Sequence, residues 1–435
     1  MAPPARRRVF GGSSALFQYR SFSPFPAAPF GSCLYTGLLF LPHIYSFVIL
    51  FTTSMHTVES VTSGHPDKIC DQISDAILDE CLRQDSMSRV AVESFGGHGK
   101  LVIGGEVTTL AKVDYAKIAA EVYRRAGYFD PLEIMVNIVE QSLDIAMGVD
   151  TGGAGDQGIM YGYATDETPE FLPLAQVLAR DLTDRLTEAR ETSEVVWLKP
   201  DGKAQVTLSV PAVLPPPHSS PVVATREEEF DGRHRPPLSP RWGRGGEGEV
   251  IAVLVSCQHS ENVTQEELKK SVQEKIIEPV FAKRGVSLEH AEILINPSGR
   301  FVLGGFAADT GLTGRKIMVD TYGGLAPHGG GAFSGKDATK VDRSGAYAAR
   351  HAAKWLVANG HAHEALVSLA YAIGRAEPVM VHAVDEKGNN LSEHLSGFDF
   401  TPRGIIERLD LLKPVFYETA RRGHFGRKGY KWEIC

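Results

Sequence analysis

The chain has 435 residues, a formal net charge of −8, 43% hydrophobic residues and 23% charged residues. This composition is that of a folded globular protein, and it excludes a disordered chain or one embedded throughout in a membrane. The mild negative charge argues against a protein that coats nucleic acid, so a small-molecule partner is expected, and the length predicts two or three domains.

Residues 1–54 differ in composition from the rest of the chain. They contain four arginines and no acidic residue, as targeting segments do. Residues 34–51 are mostly apolar and long enough to suggest a membrane anchor, but Pro42 and His43 interrupt the run. A third interpretation is that translation starts at Met55. We favour it because the motif-bearing sequence begins directly after this residue.

Helical and strand-like patterns are mixed along the remainder of the chain. Apolar residues at helical spacing predict helices, and short apolar or alternating runs next to glycines predict strands. The predicted helices are 68–83, 267–281 and 405–416, and the predicted strands are 101–108, 301–305 and 316–321. Because the two patterns are interspersed, we predict an α+β fold.

Residues 211–249 form a second segment of unusual composition, rich in proline, arginine and glycine. Such a segment is predicted to be disordered. The flanking runs, 204–210 and 250–257, have the apolar and β-branched character of two strands of a hairpin. The insert would then enlarge one turn, which the fold can tolerate because the free-energy cost of loop closure rises slowly with loop length.

The five cysteines show no close paired spacing of the zinc or thioredoxin kind. An odd set without such pairs indicates a reducing compartment. We therefore predict a cytoplasmic protein, with an organellar or membrane-tethered location as the alternative if residues 1–54 are translated.

Four glycine-rich segments carry charged residues. They are GHPDK at 64–68, GAGDQG at 153–158, the segment 309–316, and GGGAFSGKDATKVD at 329–342. Glycines let the backbone approach a ligand closely and aim N–H groups at phosphate oxygens, while lysines and arginines neutralise the negative charge. The segments therefore predict a site for a phosphorylated ligand.

The last segment partly fits a P-loop, because Gly330, Gly335 and Lys336 have the required spacing. The next residue is Asp337, whereas a P-loop needs a serine or threonine hydroxyl there to bind magnesium. A P-loop ATPase or kinase is therefore the less favoured alternative.

Taken together, these strings resemble those of the methionine adenosyltransferase, or S-adenosylmethionine synthetase, family over about residues 56–433. The resemblance rests on GHPDK with the following DQISDA, on GAGDQG, and on GGGAFSGKD followed by KVDRS. It implies three structurally similar α+β domains in a pseudo-threefold arrangement. The implied domains are 55–150, 151–304 and 305–435, after the extension 1–54.

The resemblance also implies the reaction. The methionine sulfur attacks the ribose C5′ of ATP, the triphosphate leaves, and it is then hydrolysed to phosphate and diphosphate. A thioether carries no proton to remove, so this chemistry depends mainly on cations placed to stabilise the leaving polyanion. A homodimer or homotetramer with the active site at the dimer interface is implied, and neither nucleic acid nor a membrane is expected to take part.

Individual residues receive roles from the same resemblance. The catalytic and phosphate-binding positions are His65, Lys203, Arg315, Lys316 and Lys336. The further ATP-site positions are Asp156, Asp201, Arg300, Phe301, Asp309 and Ala332, and the methionine positions are Glu106, Gln141, Asp309 and Lys340. Two Mg²⁺ ions per site are implied at Asp67 and Asp342, and one K⁺ per subunit at Glu93.

The chain departs from the family pattern before the mobile gate loop. It has Leu143 in place of a proline, and both the loop that ends at Gly153 and the segment 127–139 are short. Losing the proline frees φ, and a shorter loop reaches less far over the site. A catalytically silent subunit of the same fold is the alternative to an active enzyme, although the cationic and metal-binding positions are all retained.

Overall fold

The computed structural model describes residues 53–140, 152–211 and 248–435. The strands are β1 (Thr53–Val61), β2 (Arg89–Gly97), β3 (Lys100–Thr108), β4 (Glu133–Val139), β5 (Gly158–Thr165), β6 (Leu198–Pro211), β7 (Glu249–His259), β8 (Glu292–Ile295), β9 (Gly311–Leu312), β10 (Glu364–Tyr371) and β11 (Met380–Asp385). The α-helices are α1 (Pro66–Gln84), α2 (Tyr115–Ala126), α3 (Leu174–Glu191), α4 (Gln265–Val272), α5 (Glu278–Arg284), α6 (Ile317–Asp320), α7 (Val341–Ala358), α8 (Pro402–Leu409) and α9 (Phe416–Arg422). A π-helical turn, Gln273–Ile277, joins α4 to α5, and short 3₁₀ turns cover Gly305–Ala307, Ser392–Leu395 and Lys431–Glu433.

The strands form three sheets. The N-terminal sheet has the order β9-β2-β3-β4, the central sheet β1-β6-β7-β8, and the C-terminal sheet β5-β10-β11. Each sheet contains an antiparallel hairpin, and an edge strand pairs antiparallel with the first strand of that hairpin. In the two four-stranded sheets, a fourth strand pairs parallel with the second strand of the hairpin. The three sheets therefore share the same antiparallel arrangement of three strands.

Each third of the chain repeats the same unit: a leading strand, a long helix and a hairpin. The leading strand does not join the hairpin of its own unit. Strand β1 joins the central sheet, β5 joins the C-terminal sheet, and β9 returns to the N-terminal sheet. This cyclic exchange confirms the predicted pseudo-threefold arrangement of three similar domains, since each unit completes the next. The predicted domain boundaries within the sequence stay predictions.

The predicted core helices are largely confirmed. Ile69, Ile73 and Ile77 of α1 are fully buried, and the predicted helix 267–281 corresponds to the continuous run from α4 through the π-helical turn to α5. Strand β3 confirms the prediction for 101–108. Burial of such apolar faces contributes roughly 25 cal/mol per Å² of apolar surface removed from water.

Three predicted elements are wrong. Residues 301–305 are not a strand, because Phe301 N, Val302 O and Gly305 N bond to side chains of the central sheet in place of a backbone ladder, and Gly305 adopts a positive φ of 58°. Residues 316–321 contain the short helix α6 in place of a strand. The predicted helix 405–416 is two helices, α8 and α9. It breaks where Asp410 is left-handed, and Pro414, which has no N–H to donate, lies between the two helices.

The hairpin on either side of the proline-rich insert is confirmed. Strands β6 and β7 pair antiparallel up to Ser209 and Glu249. Residues 212–247 lie outside the described residues, so the predicted disorder there stays a prediction.

Replacing residues 212–247 by a short turn is expected to stabilise the protein. Shortening the connection by about three doublings in length lowers the loop-closure free energy by roughly 2 kcal/mol. Urea unfolding of the two proteins measures the difference. A large loss of stability on deletion would show that the insert packs on the fold.

In the residues that the structure describes, no helix combines the length and the apolar composition needed to cross a membrane. The anchor-like run 34–51 lies outside those residues.

Candidate active site

The N-terminus of α1 holds the first of the predicted site residues. His65 caps this helix, and its Nδ1 accepts a hydrogen bond of 3.2 Å from the backbone N–H of Asp67, while Pro66 occupies the first helical position. Burial, followed by the positive charge of Lys316, lowers the pKa of His65 from 6.5 to about 3. The imidazole is therefore neutral at pH 7, and because Nδ1 accepts, the proton lies on Nε2.

Two predicted phosphate-binding cations meet at the carboxylate of Asp67. Lys316 Nζ lies 2.6 Å from Oδ2, and Arg315 Nε lies 3.6 Å from Oδ1. Although burial favours the protonated form, hydrogen bonds from Lys316 and from the backbone N–H of Leu312 hold the pKa of Asp67 below its usual value. The fold therefore gathers an ionised carboxylate and two cations beside His65.

Two further predicted residues act on the same imidazole. The positive charge of Lys203, on β6, helps to lower the pKa of His65, and the negative charge of Asp309 opposes this shift. The Lys203 side chain is 44% exposed and its Nζ lies 3.8 Å from the Glu59 carboxylate. The Lys203 side chain is therefore partly open to solvent, beside an exposed carboxylate.

Asp201 lies close to these residues in the sequence but is buried. Its Oδ2 accepts a hydrogen bond of 2.9 Å from the backbone N–H of Gly305, and burial raises its pKa from 3.8 to about 6. The contact ties β6 to the turn that precedes Asp309. In the described contacts, Asp201 therefore holds β6 and this turn together.

The two predicted adenine-site residues lie at the end of the central sheet. Arg300 forms an exposed ion pair of 2.5 Å with Glu261, and the backbone N–H of Phe301 donates to His259 Nε2 over 3.0 Å. Phe301 is partly exposed. Its predicted contact with adenine stays a prediction.

A second cluster forms around the segment 329–342. Lys336 Nζ lies 2.6 Å from Asp342 Oδ2, in the first turn of α7, and Lys340 pairs with the buried Asp337. A Cβ placed on Gly331 would come within 2.1 Å of Asp342 Oδ1, so glycine at this position leaves room for the Asp342 carboxylate. This cluster holds the predicted phosphate-binding Lys336, the predicted magnesium ligand Asp342 and the predicted methionine-site Lys340.

The GAGDQG segment and Ala332 connect this cluster to other loops. Gly158 packs next to Asp342, since a Cβ on Gly158 would lie 3.9 Å from Asp342 Oδ1. Asp156, in the same segment, is exposed. A Cβ on Gly314 would lie 2.4 Å from the Ala332 Cβ. The loop that carries Arg315 and the loop that carries Lys336 are therefore in direct contact.

The segment around Lys336 pairs with β2 on the same edge as β9, but nearer the start of that strand. The backbone N–H of Val92 donates to Gly335 O over 3.0 Å, and that of Asp337 donates to Val90 O over 3.1 Å. Gly335 has φ of 80°, and a Cβ there would lie 1.9 Å from Val92 O. Its backbone conformation and the close approach both require glycine.

The predicted P-loop alternative finds no support in this geometry. A P-loop joins a strand directly to a helix. Within the described part of the chain, no strand leads into Gly330, and α7 begins only at Val341.

Glu93 and Glu106 lie on the outward face of the N-terminal sheet. Ala91 is the register partner of both Glu106 on β3 and Lys336 on the other side, so these positions form one row across the sheet. Glu93 is exposed and Glu106 is partly exposed. Gln141 and Leu143 lie outside the described residues, so the methionine role of Gln141 and the gate behaviour stay predictions.

Sequence reasoning missed the residues that support these loops. They are the buried Lys68, Asp71, Asp75, Asp320 and Arg343. The only sequence pattern that could have pointed to them is a row of four aspartates, spaced four residues apart, in α1. Such a row ordinarily indicates a helix face that is exposed to solvent. Their burial depends on partners more than 200 residues away in the sequence.

The carboxylates of the two clusters are suitable magnesium ligands, although few of them lie together. Among the described residues, no group of three His, Cys, Asp or Glu side chains gathers to hold a metal. Magnesium usually binds one or two protein carboxylates and completes its shell with water and substrate phosphates. Asp67 and Asp342 each offer such a carboxylate, next to a lysine that could turn to the phosphates.

Comparison with known proteins decides the family. Models of the N-terminal, central and C-terminal domains of S-adenosylmethionine synthetase match residues 53–147, residues 151–230 with 243–301, and residues 303–434. The chain belongs to the S-adenosylmethionine synthetase family. Each matched domain contains the hairpin of one of the three sheets, and the matches confirm the predicted family and fold.

Relatives named S-adenosylmethionine synthase align with most of the chain. The Mesoplasma florum protein is 45% identical over 397 residues, which cover 87% of this chain and 97% of the relative. The Sulfurovum protein is 46% identical over 399 residues, covering 87% and 95%. A Thermus thermophilus protein is 45% identical over 408 residues, which cover 87% of this chain and 95% of the relative. The synthetase resemblance therefore spans nearly the full length of these relatives.

His65 is expected to remain neutral between pH 8 and pH 5. Because its pKa is lowered to about 3, its imidazole NMR signals should not titrate between pH 8 and pH 5. Comparison of ¹H–¹⁵N spectra with those of His65→Asn assigns the signals. A titration midpoint near 6.5 would contradict the buried environment.

Proposed function

We propose that this chain synthesises S-adenosylmethionine from ATP and L-methionine and then splits the triphosphate into phosphate and diphosphate. Membership of the synthetase family carries the proposal. The neutral His65, set among Lys203, Arg315 and Lys316, supports it, since the reaction needs cations and a neutral hydrogen-bond donor more than it needs a base.

The chemistry of the leaving group determines the roles we propose. As the sulfur bonds to C5′, negative charge accumulates on the oxygen that leaves with the triphosphate. The Nε2–H of His65 can donate a hydrogen bond to that oxygen, and the ammonium and guanidinium groups of Lys316 and Arg315 can bind the phosphates. Because these groups are positioned before the reaction, they need little reorganisation at the transition state.

We propose the remaining site assignments on the basis of the family resemblance. Asp201, Arg300, Phe301, Asp156 and Ala332 would complete the ATP site, and Glu106, Gln141, Asp309 and Lys340 would bind methionine. A carboxylate can meet the substrate ammonium group, and a lysine can meet its carboxylate. Mg²⁺ held at Asp67 and Asp342 would neutralise phosphate charge, and K⁺ would bind at Glu93.

We further propose a homodimer, alone or paired into a tetramer, with the active site between subunits. Phe95, Val102 and Met135 are exposed register neighbours on β2, β3 and β4, and they form an apolar row on the outward face of the N-terminal sheet. An exposed apolar sheet face favours association with another surface. Glu93 and Glu106 share this face, so pairing it with a second copy would enclose the proposed methionine and potassium positions.

The test is the release of products from ATP by the purified chain with Mg²⁺ and K⁺ present. We expect S-adenosylmethionine, phosphate and diphosphate to form only when methionine is added. Phosphate release without methionine would favour an ATPase. Binding of ATP and methionine without any product would favour the catalytically silent subunit.

A further inference from the structure

Helix α1 carries a stripe of four aspartates, one turn apart, on a single buried face. They are Asp67, Asp71, Asp75 and Asp79, and each is at most 6% exposed. Each carboxylate accepts a hydrogen bond from the backbone of a segment in the last third of the chain. The donors are Leu312 N at 2.9 Å, Gly314 N at 2.8 Å, Gly335 N at 2.8 Å, and Phe416 N and Tyr417 N at 3.0 and 2.9 Å.

Asp71 holds the segment that contains Arg315 and Lys316. Its Oδ1 accepts from the N–H of Gly314, directly before these two cations. Its Oδ2 lies 3.1 Å from Lys68 Nζ, which also lies 2.5 Å from Asp320 Oδ1. Asp71 is fully buried, and both of its oxygens are engaged, one by the Gly314 N–H and the other by Lys68.

Asp75 holds the segment that contains Lys336. Its Oδ1 accepts from the N–H of Gly335, the residue directly before Lys336. Both oxygens of Asp75 also accept from Arg343, over 2.8 and 2.5 Å, and Arg343 donates a further bond of 2.9 Å to Lys336 O. The backbone on each side of Lys336 is therefore tied to α1 or to α7.

We propose that Asp71 and Asp75 are positioning residues for the reaction, each fixing the glycine directly before a phosphate-binding cation. This inference rests on the proposed function. Charge-assisted hydrogen bonds from buried N–H groups are among the stronger ones in proteins, and a group left unpaired costs about 1–3 kcal/mol. A segment that shifts to satisfy its free N–H carries its cation with it, and a displacement near 1 Å can reduce a rate by about 100-fold.

Asp79 provides a matched control within the same stripe. It is equally part of α1, is 6% exposed, and accepts two backbone N–H groups, but these belong to the start of α9 and precede no proposed site residue. Its removal should therefore affect folding without moving a cation of the site.

The experiment compares Asp71→Leu, Asp71→Asn and Asp79→Leu in the full chain, with kcat expressed per folded molecule. Asp71→Leu removes the acceptor and should lower kcat about 100-fold while the KM for methionine changes less than about threefold. Asp71→Asn keeps an oxygen acceptor of the same shape and should retain kcat within about fivefold. Asp79→Leu should lose stability but keep kcat within about threefold.

Hydrogen–deuterium exchange of the peptide covering 312–317 gives a readout independent of activity. Its exchange should rise in Asp71→Leu and stay unchanged in Asp71→Asn and Asp79→Leu. If Asp71→Leu does not fold, Asp71→Ala removes the same acceptor and carries the same expectations.

Equal kcat losses in Asp71→Leu and Asp79→Leu, or an Asp71→Asn variant as impaired as Asp71→Leu, would overturn the inference. A wild-type chain that makes no S-adenosylmethionine would instead refute the proposed function, and the exchange experiment would still decide whether Asp71 fixes the segment.

Discussion

Replacing Lys336 by alanine is expected to lower kcat by about two to three orders of magnitude while leaving the fold intact. The change removes a cation proposed to stabilise the departing triphosphate, and losing one such group typically costs a factor of about 10²–10³. The ion pair with Asp342 joins two partly exposed side chains, 24% and 21% exposed, so its loss should change stability by no more than about 1 kcal/mol.

Steady-state kinetics of Lys336→Ala, together with urea unfolding, separate the two effects. Lys270→Ala is the control, because Lys270 also pairs with a carboxylate, at 4.0 Å, but lies on α4 in the central domain. We expect its rate to equal that of the wild type. An unchanged rate in Lys336→Ala would remove this residue from the mechanism.

Replacing Arg343 by methionine is expected to destabilise the protein by about 3–5 kcal/mol. Arg343 and Asp75 are both fully inaccessible and form a bidentate pair. Removing one partner of a buried pair leaves an uncompensated charge, which costs more than the pair itself contributes. The ring centroid of Phe416 lies 4.3 Å from the guanidinium carbon of Arg343, and this contact would also be lost.

Urea unfolding followed by circular dichroism measures this loss. Arg403→Met is the matched control, because Arg403 forms an ion pair of 2.8 Å with Glu407 on the surface of α8, and we expect no measurable change there. The double variant Arg343→Met with Asp75→Leu should recover part of the stability, since it removes both charges. If Arg343→Met behaved like the surface control, the pair would not be buried in solution.

The sequence was most informative where a motif combined residue type with spacing. The predicted helix 68–83 follows GHPDK directly, and in the structure α1 begins two residues earlier, at Pro66, with His65 as its cap. It was least informative where backbone pairing depended on distant segments. Residues 316–321 have the composition of a strand, but Asp320 binds the buried Lys68, and the segment forms a short helix.

The cyclic exchange of strands was also invisible in the sequence. Nothing in the composition of β1, β5 or β9 indicates that each pairs with the hairpin of another unit. A strand of two residues such as β9 carries almost no periodic signal, yet it places Leu312 on Asp67 and so fixes the segment that contains Lys316.

By itself, the sequence determined the family, the α+β class, the inventory of cations and carboxylates, and the glycines that allow close approach. These properties follow from residue types at short spacings, where chain connectivity already places the groups near each other. Only the tertiary structure decided that His65 is neutral, that the aspartates of α1 face inward, and that Gly314 and Gly335 are fixed by them. Charge state and burial depend on residues brought from hundreds of positions away, and the desolvation that lowers the pKa of His65 exists only once those segments have packed.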